Sequence, residues 1–115
     1  MGHVNQIWQG DANACLARSF PLCAVPARVI NLTGTEVLRV REIAGRLGEL
    51  LGREPLFQGQ ESPTALLGDA AEMARLWGPP SIPPDQIIAW VAEWVKQGGP
   101  TLNKPTKYES RTGQF

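Results

Sequence analysis

Residues 28–55 combine a short apolar run with a long amphipathic helix pattern, and together these two features restrict the fold class most. The apolar residues Val29, Ile30 and Leu32 precede a Thr-Gly-Thr break, which predicts a short strand. The apolar residues that follow repeat at i, i+3, i+4 and i+7, the spacing of a helix with one buried face; they are Val40, Ile43, Ala44, Leu47, Leu50 and Leu51. Gly52 is placed to end this helix. A strand that leads into a helix predicts a mixed α/β fold.

Two more helices are predicted in the second half of the chain. The first is about two turns long and begins with a capping box, in which Asp69 is followed three residues later by Glu72. The second begins near Asp85, and its apolar face includes Trp90 and Trp94, which we expect to pack in the core. Both patterns are followed by glycine and proline, which commonly end helices.

The remaining predicted elements are a helix at the start of the chain and a second short strand. A single-face helical pattern covers about residues 11–20, and residues 56–57 are a short apolar segment that suggests a strand. The fold class is therefore predicted as helix-rich α/β, with about four helices and two short strands. Residues 1–97 form the predicted domain, and residues 98–115 form a tail rich in Gly, Pro and Lys without hydrophobic periodicity.

Charge and hydropathy argue against two classes of partner. The 115 residues carry 11 basic and 11 acidic side chains and no basic run, so no electrostatic field favours nucleic acid. No apolar run approaches the roughly 20 residues that a membrane-spanning helix needs, and the first residues do not resemble a signal peptide. We therefore expect a cytoplasmic location, with neither nucleic acid nor membrane as partner. In that compartment Cys15 and Cys23 are expected to stay free thiols.

The sequence does not carry the motifs that catalysis, metal binding and dinucleotide binding require. His3 is the only histidine, so a catalytic triad has no credible base and a metal site has too few ligands. No glycine-rich phosphate turn follows a strand, and Tyr108, the only tyrosine, has Thr112 rather than lysine four residues later. We therefore predict no catalytic residue, no metal ligand and no cofactor ligand in this chain.

The order and spacing of several motifs resemble those of a known enzyme family. The motifs are V-I-N-L-T-G-x-E at residues 29–36, V-R-E-I-A-x-x-L-G-x-L-L-G-R at residues 40–53 and D-A-A-x-x-A-R-x-x-G-x-P at residues 69–80, followed by a tryptophan-bearing helix. Over about residues 4–97 the chain resembles the C-terminal portion of an extended short-chain dehydrogenase/reductase, and the NAD-dependent epimerase/dehydratase group is the nearest. In that family the Rossmann half carries the glycine-rich turn and the Tyr-x-x-x-Lys catalytic pair, and the C-terminal portion shapes the substrate pocket.

The resemblance implies a substrate-binding region that is catalytically silent without a Rossmann half. NAD(P) is then a cofactor of a full-length parent, and the implied partners are a Rossmann domain and a small-molecule substrate. A homo-oligomer is a further implied assembly. Trp8 and Gln9 lie where an extended stretch meets a helix start, a place where α/β proteins bind ligands, although packing is an equal interpretation. Together with Gln6 and Glu61 they are the candidate substrate-binding residues.

The chain departs from the family at two positions that bind diphosphates. Nucleotide-sugar members carry an arginine where Val4 or Asn5 stands here, and a second arginine is replaced by residues 59–61. The resemblance therefore implies a different polar small molecule as substrate.

Two other functions fit the residues. One is a non-enzymatic interaction module, in which the helix faces that would cover a Rossmann sheet pair between copies of the chain. The other is an enzyme of an unrecognised fold that uses Trp8 and Glu61.

Overall fold

The computed structural model describes residues 2–104, and this part of the chain forms four α-helices and one two-stranded antiparallel sheet. The helices are α1 (Gln9–Ser19), α2 (Val40–Leu51), α3 (Ala71–Trp77) and α4 (Pro84–Lys96), and a 3₁₀ helix (Phe20–Leu22) follows α1. The strands are β1 (His3–Val4) and β2 (Leu38–Arg39). The prediction of a helix-rich α/β chain with about four helices and two short strands is confirmed. Most of the predicted tail, residues 105–115, lies outside the described residues.

The two strands lie at positions other than those predicted. β1 pairs with β2 in a register that places His3 opposite Arg39. Residues 29–32 and residues 56–57 are not strands, and among the described residues no hydrogen bond between two main-chain groups involves either segment. Their predicted positions are wrong because a strand requires a hydrogen-bonded neighbour as well as an apolar sequence, and these segments have none within residues 2–104.

The predicted end of α2 at Gly52 is confirmed. Gly52 adopts the left-handed conformation, with φ of 65°, in which glycine carries no steric penalty, and the helix stops there. At the other end Arg39 makes no capping hydrogen bond through its side chain.

No helix within residues 2–104 has the length and hydropathy needed to cross a membrane.

The predicted capping box of α3 is not formed. The N-cap residue is Ala70, which makes no capping hydrogen bond through its side chain, and the preceding Asp69 accepts a hydrogen bond at Oδ1 from the Ala71 N–H at 2.9 Å. Glu72 does not reach back to complete the box, because its carboxylate accepts hydrogen bonds from Arg28 and Arg75. Two guanidinium groups outcompete one main-chain N–H for this carboxylate.

The core is small. The buried hydrophobic residues of the described part are Cys15, Ala70, Met73, Ile88 and Ala92. Cys15, Ala70 and Met73 form one cluster between α1 and the start of α3, and the half-buried side chains that pack against it are Ile7, Ile30, Leu32 and Trp77. Cys15 and Cys23 are both free thiols. Burial raises the pKa of the Cys15 thiol. Cys15 is therefore a core side chain and not a reactive thiolate.

The tryptophans of α4 are not in the core, which corrects the prediction. Trp90 is 43% and Trp94 is 51% exposed, and with Val91 and Val95 they form an exposed row that we name the α4 stripe. α4 packs against α2, and Ile88 and Ala92 are its buried residues. The apolar face of α4 is wider than this contact, so the rest of the face stays exposed.

Candidate functional site

The side chain of Asn5 joins three segments that are far apart in the sequence. Its Nδ2 donates hydrogen bonds to Gly34 O at 3.1 Å and to Gly68 O at 2.7 Å, and its Oδ1 accepts one from Gly68 N at 3.2 Å. Thr33 Oγ1 donates to Asn5 O at 3.2 Å. This group, the Asn5 crossing, fixes the segment after β1 against the loop before β2 and the loop before α3.

Gly34 is required at the crossing because the two main chains lie against each other there. A Cβ atom at this position would lie 2.0 Å from Gln6 O, a distance that no side chain tolerates. Gly34 is buried, and its carbonyl is one of the groups that Asn5 holds. A glycine at this position therefore allows the close main-chain approach that orients Gln6.

Gln6 lines a cavity of about 130 Å³ next to the crossing, which we name the Gln6 cavity. One wall is formed by Gly34, Thr35 and Glu36, and the other by the proline-rich loop 79–84. Three of the lining residues, Gln6, Thr35 and Glu36, carry an amide, a hydroxyl and a carboxylate, and four of those on the other wall are prolines. These groups suit a small polar molecule, because amide, hydroxyl and carboxylate groups orient a ligand by hydrogen bonds.

Asp11 holds the proline-rich wall in place. Its carboxylate accepts hydrogen bonds from Ser81 Oγ at 2.6 Å and from Ile82 N at 3.1 Å. Desolvation alone would raise the pKa of Asp11, but the hydrogen bonds from Ser81 and Ile82 outweigh it and lower the pKa. The sequence suggests a cap or first-turn acid at this position, and the structure shows a contact between the first turn of α1 and a loop 70 residues later.

No candidate metal centre lies at this cavity within the described part of the chain. No group of three or more His, Cys, Asp or Glu side chains within residues 2–104 is placed to hold a metal ion. The chain's single histidine, His3, lies in β1 opposite Arg39. The arrangement can bind and orient a polar molecule through its hydrogen-bonding groups.

The other three candidate residues have different surroundings from Gln6. Trp8 precedes the first residue of α1, Gln9, so the predicted junction of an extended stretch and a helix is confirmed. The Trp8 ring contacts that of Trp90, with centroids 5.6 Å apart and planes tilted by 58°. Gln9 is exposed. The Trp8 side chain therefore packs against Trp90 while the residue is 39% exposed, and ligand binding by Trp8 stays a prediction.

Glu61 belongs to a separate contact. Its Oε1 accepts a hydrogen bond from Arg41 Nε at 2.5 Å, and the Arg41 guanidinium carbon lies 4.5 Å from the centroid of the Phe57 ring. The arginine is thus held between a carboxylate and an aromatic face, which fixes the loop that follows α2. A role for Glu61 in substrate binding stays a prediction.

Sequence patterns missed the residues that build the site. Asn5 and Asp11 act through partners that lie 29 to 71 positions away, so no local spacing marks them. The only local signal is the position of Asp11 at the start of the helical pattern of residues 11–20.

Comparison with known proteins gives no match. No protein-family model, no curated protein and no solved structure matches this chain.

Proposed function

We propose that this chain is the substrate-binding C-terminal region of an NAD-dependent epimerase/dehydratase-like protein and is catalytically silent without a Rossmann half. The observation that carries the proposal is the state of residues 29–32. This apolar segment has the sequence of a strand, yet among the described residues its main chain makes no hydrogen bond to another main chain. An extended segment with open donors and acceptors is a template for pairing with a sheet.

The side chains of this segment are already divided between two faces. Ile30 and Leu32 pack against the core cluster, whereas Val29 is 83% exposed. Asn31 lies on the same side as Val29 in the alternation of an extended chain, and its Nδ2 donates to Asp69 O at 3.2 Å. The segment is therefore anchored through its side chains while its main chain stays available to a partner.

Exposed apolar residues extend this surface along the chain. Leu16 is 57%, Phe20 is 73% and Val25 is fully exposed, and all three precede the segment on α1, on the 3₁₀ helix and in the loop that follows. Large apolar side chains that are this exposed are candidates for an interaction site. A Rossmann half that pairs with residues 29–32 would cover it.

The substrate of the assembled protein is proposed to bind at the Gln6 cavity. Gln6 is its proposed ligand in this chain, with Trp8, Gln9 and Glu61 as further proposed contacts. NAD(P) would bind to the Rossmann half, because this chain has no glycine-rich phosphate turn. A cytoplasmic location is proposed for the same protein.

The test joins the chain through a flexible linker to the dinucleotide-binding half of a characterised epimerase/dehydratase. Amide hydrogen exchange is measured for the chain alone and for the fusion. We expect the amides of residues 29–32 to exchange rapidly in the chain alone and to become protected in the fusion. Residues 56–57 are an internal control, because they are equally open in main-chain hydrogen bonding and should stay unprotected.

Two results would overturn the proposal. One is a fusion in which residues 29–32 exchange as fast as they do in the chain alone. The other is tight, saturable NAD binding by the chain alone, measured by calorimetry, because the missing half would then not be needed for the cofactor.

The α4 stripe favours a second candidate function, a non-enzymatic module that self-associates. Trp90, Val91, Trp94 and Val95 are each about half exposed along one side of a single helix. Light scattering tests this function by comparing Trp94→Glu with Leu102→Glu, since Leu102 is exposed but lies outside the stripe. A stripe-mediated oligomer dissociates only in the first variant, and a monomeric unmodified chain at high concentration contradicts self-association.

A further inference from the structure

A second cavity, separate from the Gln6 cavity, has an apolar lining and one charged residue. It has a volume of about 290 Å³ and lies between α1 with its 3₁₀ extension and the chain that leads into residues 29–32. Its charged lining residue is Arg28. Its large apolar lining residues are Leu16, Leu22, Ile30, Leu32 and Trp77. The volume is near the lower end of the roughly 300–1,000 Å³ that small-molecule pockets occupy.

The charge beside this cavity is not balanced. Glu72 accepts hydrogen bonds from both Arg28 and Arg75, so two guanidinium groups share one carboxylate. The Arg28 contact to Glu72 uses Nη2, and within the described residues no other hydrogen bond of its guanidinium is found. One positive charge is therefore uncompensated at this group, and Arg28 has N–H donors left over.

We propose that this cavity binds a small organic carboxylate with an apolar body, with the carboxylate on Arg28 and the apolar body against Leu16, Leu22 and Trp77. A guanidinium presents paired N–H donors that match the two oxygens of a carboxylate. Transfer of the hydrocarbon body of the ligand from water to the apolar lining favours binding. A phosphate without such a body would use the charge and leave the lining wet.

The site is compatible with the proposed function but does not depend on it. Ile30 and Leu32 present their side chains to the cavity and the core, while the main chain of residues 29–32 is what a sheet would bind. A ligand on the side-chain face and a strand on the main-chain edge thus contact different groups of residues 29–32, and Leu16 belongs both to the cavity lining and to the exposed apolar surface. The binding experiment uses the chain alone, so its failure is distinguishable from a failure of the fusion experiment.

The test is a titration with octanoate below its micelle concentration, followed by calorimetry and by the nuclear magnetic resonance signal of the Trp77 indole N–H. 1-Octanol is the matched neutral ligand, and inorganic phosphate is the matched anion without a hydrocarbon body. We expect saturable octanoate binding with a shift of the Trp77 signal and at least about tenfold weaker binding of octanol, the loss expected for a charge-assisted hydrogen bond. Phosphate should leave the Trp77 signal unchanged.

Two variants test whether Arg28 is the residue that binds the carboxylate of octanoate. Arg28→Gln should weaken octanoate binding about tenfold and leave octanol binding unchanged. Arg46→Gln is the matched control, because Arg46 pairs with Glu49 on α2 and does not line this cavity. Equal affinity for octanoate and octanol in the unmodified chain overturns the proposal even if a variant fails to fold, and so does a Trp77 signal that does not move.

Discussion

Replacing Asn5 by alanine tests the crossing that organises the candidate site. Asn5→Ala removes the three side-chain hydrogen bonds to the main chain of Gly34 and Gly68. Each such bond contributes a net of about 0.5–1.5 kcal/mol, and the partly exposed geometry favours the lower half of that range. We expect the free energy of unfolding to fall by about 2 kcal/mol, a large fraction for a chain with so few buried residues.

The measurement is urea denaturation followed by circular dichroism, with the free energy and its urea dependence fitted together. Asn13→Ala is the matched control. Asn13 lies exposed on α1, and its side chain makes no hydrogen bond within residues 2–104. The control should change stability by no more than about 0.5 kcal/mol. If the two variants lose the same stability, the crossing does not hold the three segments together and the reasoning is refuted.

The remaining predictions concern a glycine, a carboxylate and a core methionine. Gly34→Ala should destabilise by more than about 2 kcal/mol in the same assay, because its Cβ would lie 2.0 Å from Gln6 O. The pKa of Glu72 is lowered to about 2 by hydrogen bonds from its two arginines, so its contribution is present above pH 4.5 and is lost as pH falls toward 2. Glu72→Gln should therefore flatten the decrease in melting temperature across that pH range. Met73→Ala should cost about 2–5 kcal/mol, because Met73 is 1% exposed in the core cluster.

Each of these changes has a matched control in the chain. Gly45→Ala should stabilise by up to about 1 kcal/mol, since Gly45 lies inside α2 with open space around its Cβ position. Glu54→Gln removes an exposed carboxylate outside the arginine cluster and is the control for Glu72→Gln. Leu102→Ala removes a side chain that is 85% exposed and should be nearly neutral. An equal effect in a variant and its control contradicts the corresponding prediction.

Local patterns predicted the helices well because helix signals are repeated within a few residues. The period of α2 and its stop at Gly52 lie within a single stretch of sequence, and the structure places both as expected. The strands were misplaced because pairing is a property of two segments, and β1 is too short to carry a pattern. The apolar row at Trp90 and Trp94 was assigned to the core because periodicity shows which residues share a face but not whether another element covers it.

The candidate site was harder to predict for a related reason. Gln6 lines a cavity in the structure, and its role in substrate binding stays a prediction. The residues that shape this region, Asn5 and Asp11, work through loops that follow much later in the chain. The sequence predicts Glu72 in a local capping box, but it binds Arg28 from a distant loop and Arg75 from its own helix instead.

The long sequence separations at the Asn5 crossing also set an order of assembly. α2 is built from contacts within a few residues and can form early, while the Asn5 side chain must wait for Gly68, which lies 63 positions later. During synthesis the N-terminal strand would thus leave the ribosome well before its last partner exists. A nascent chain that pauses before residue 68 would lack two of the three hydrogen bonds that hold Asn5, so completion of the fold follows completion of that loop.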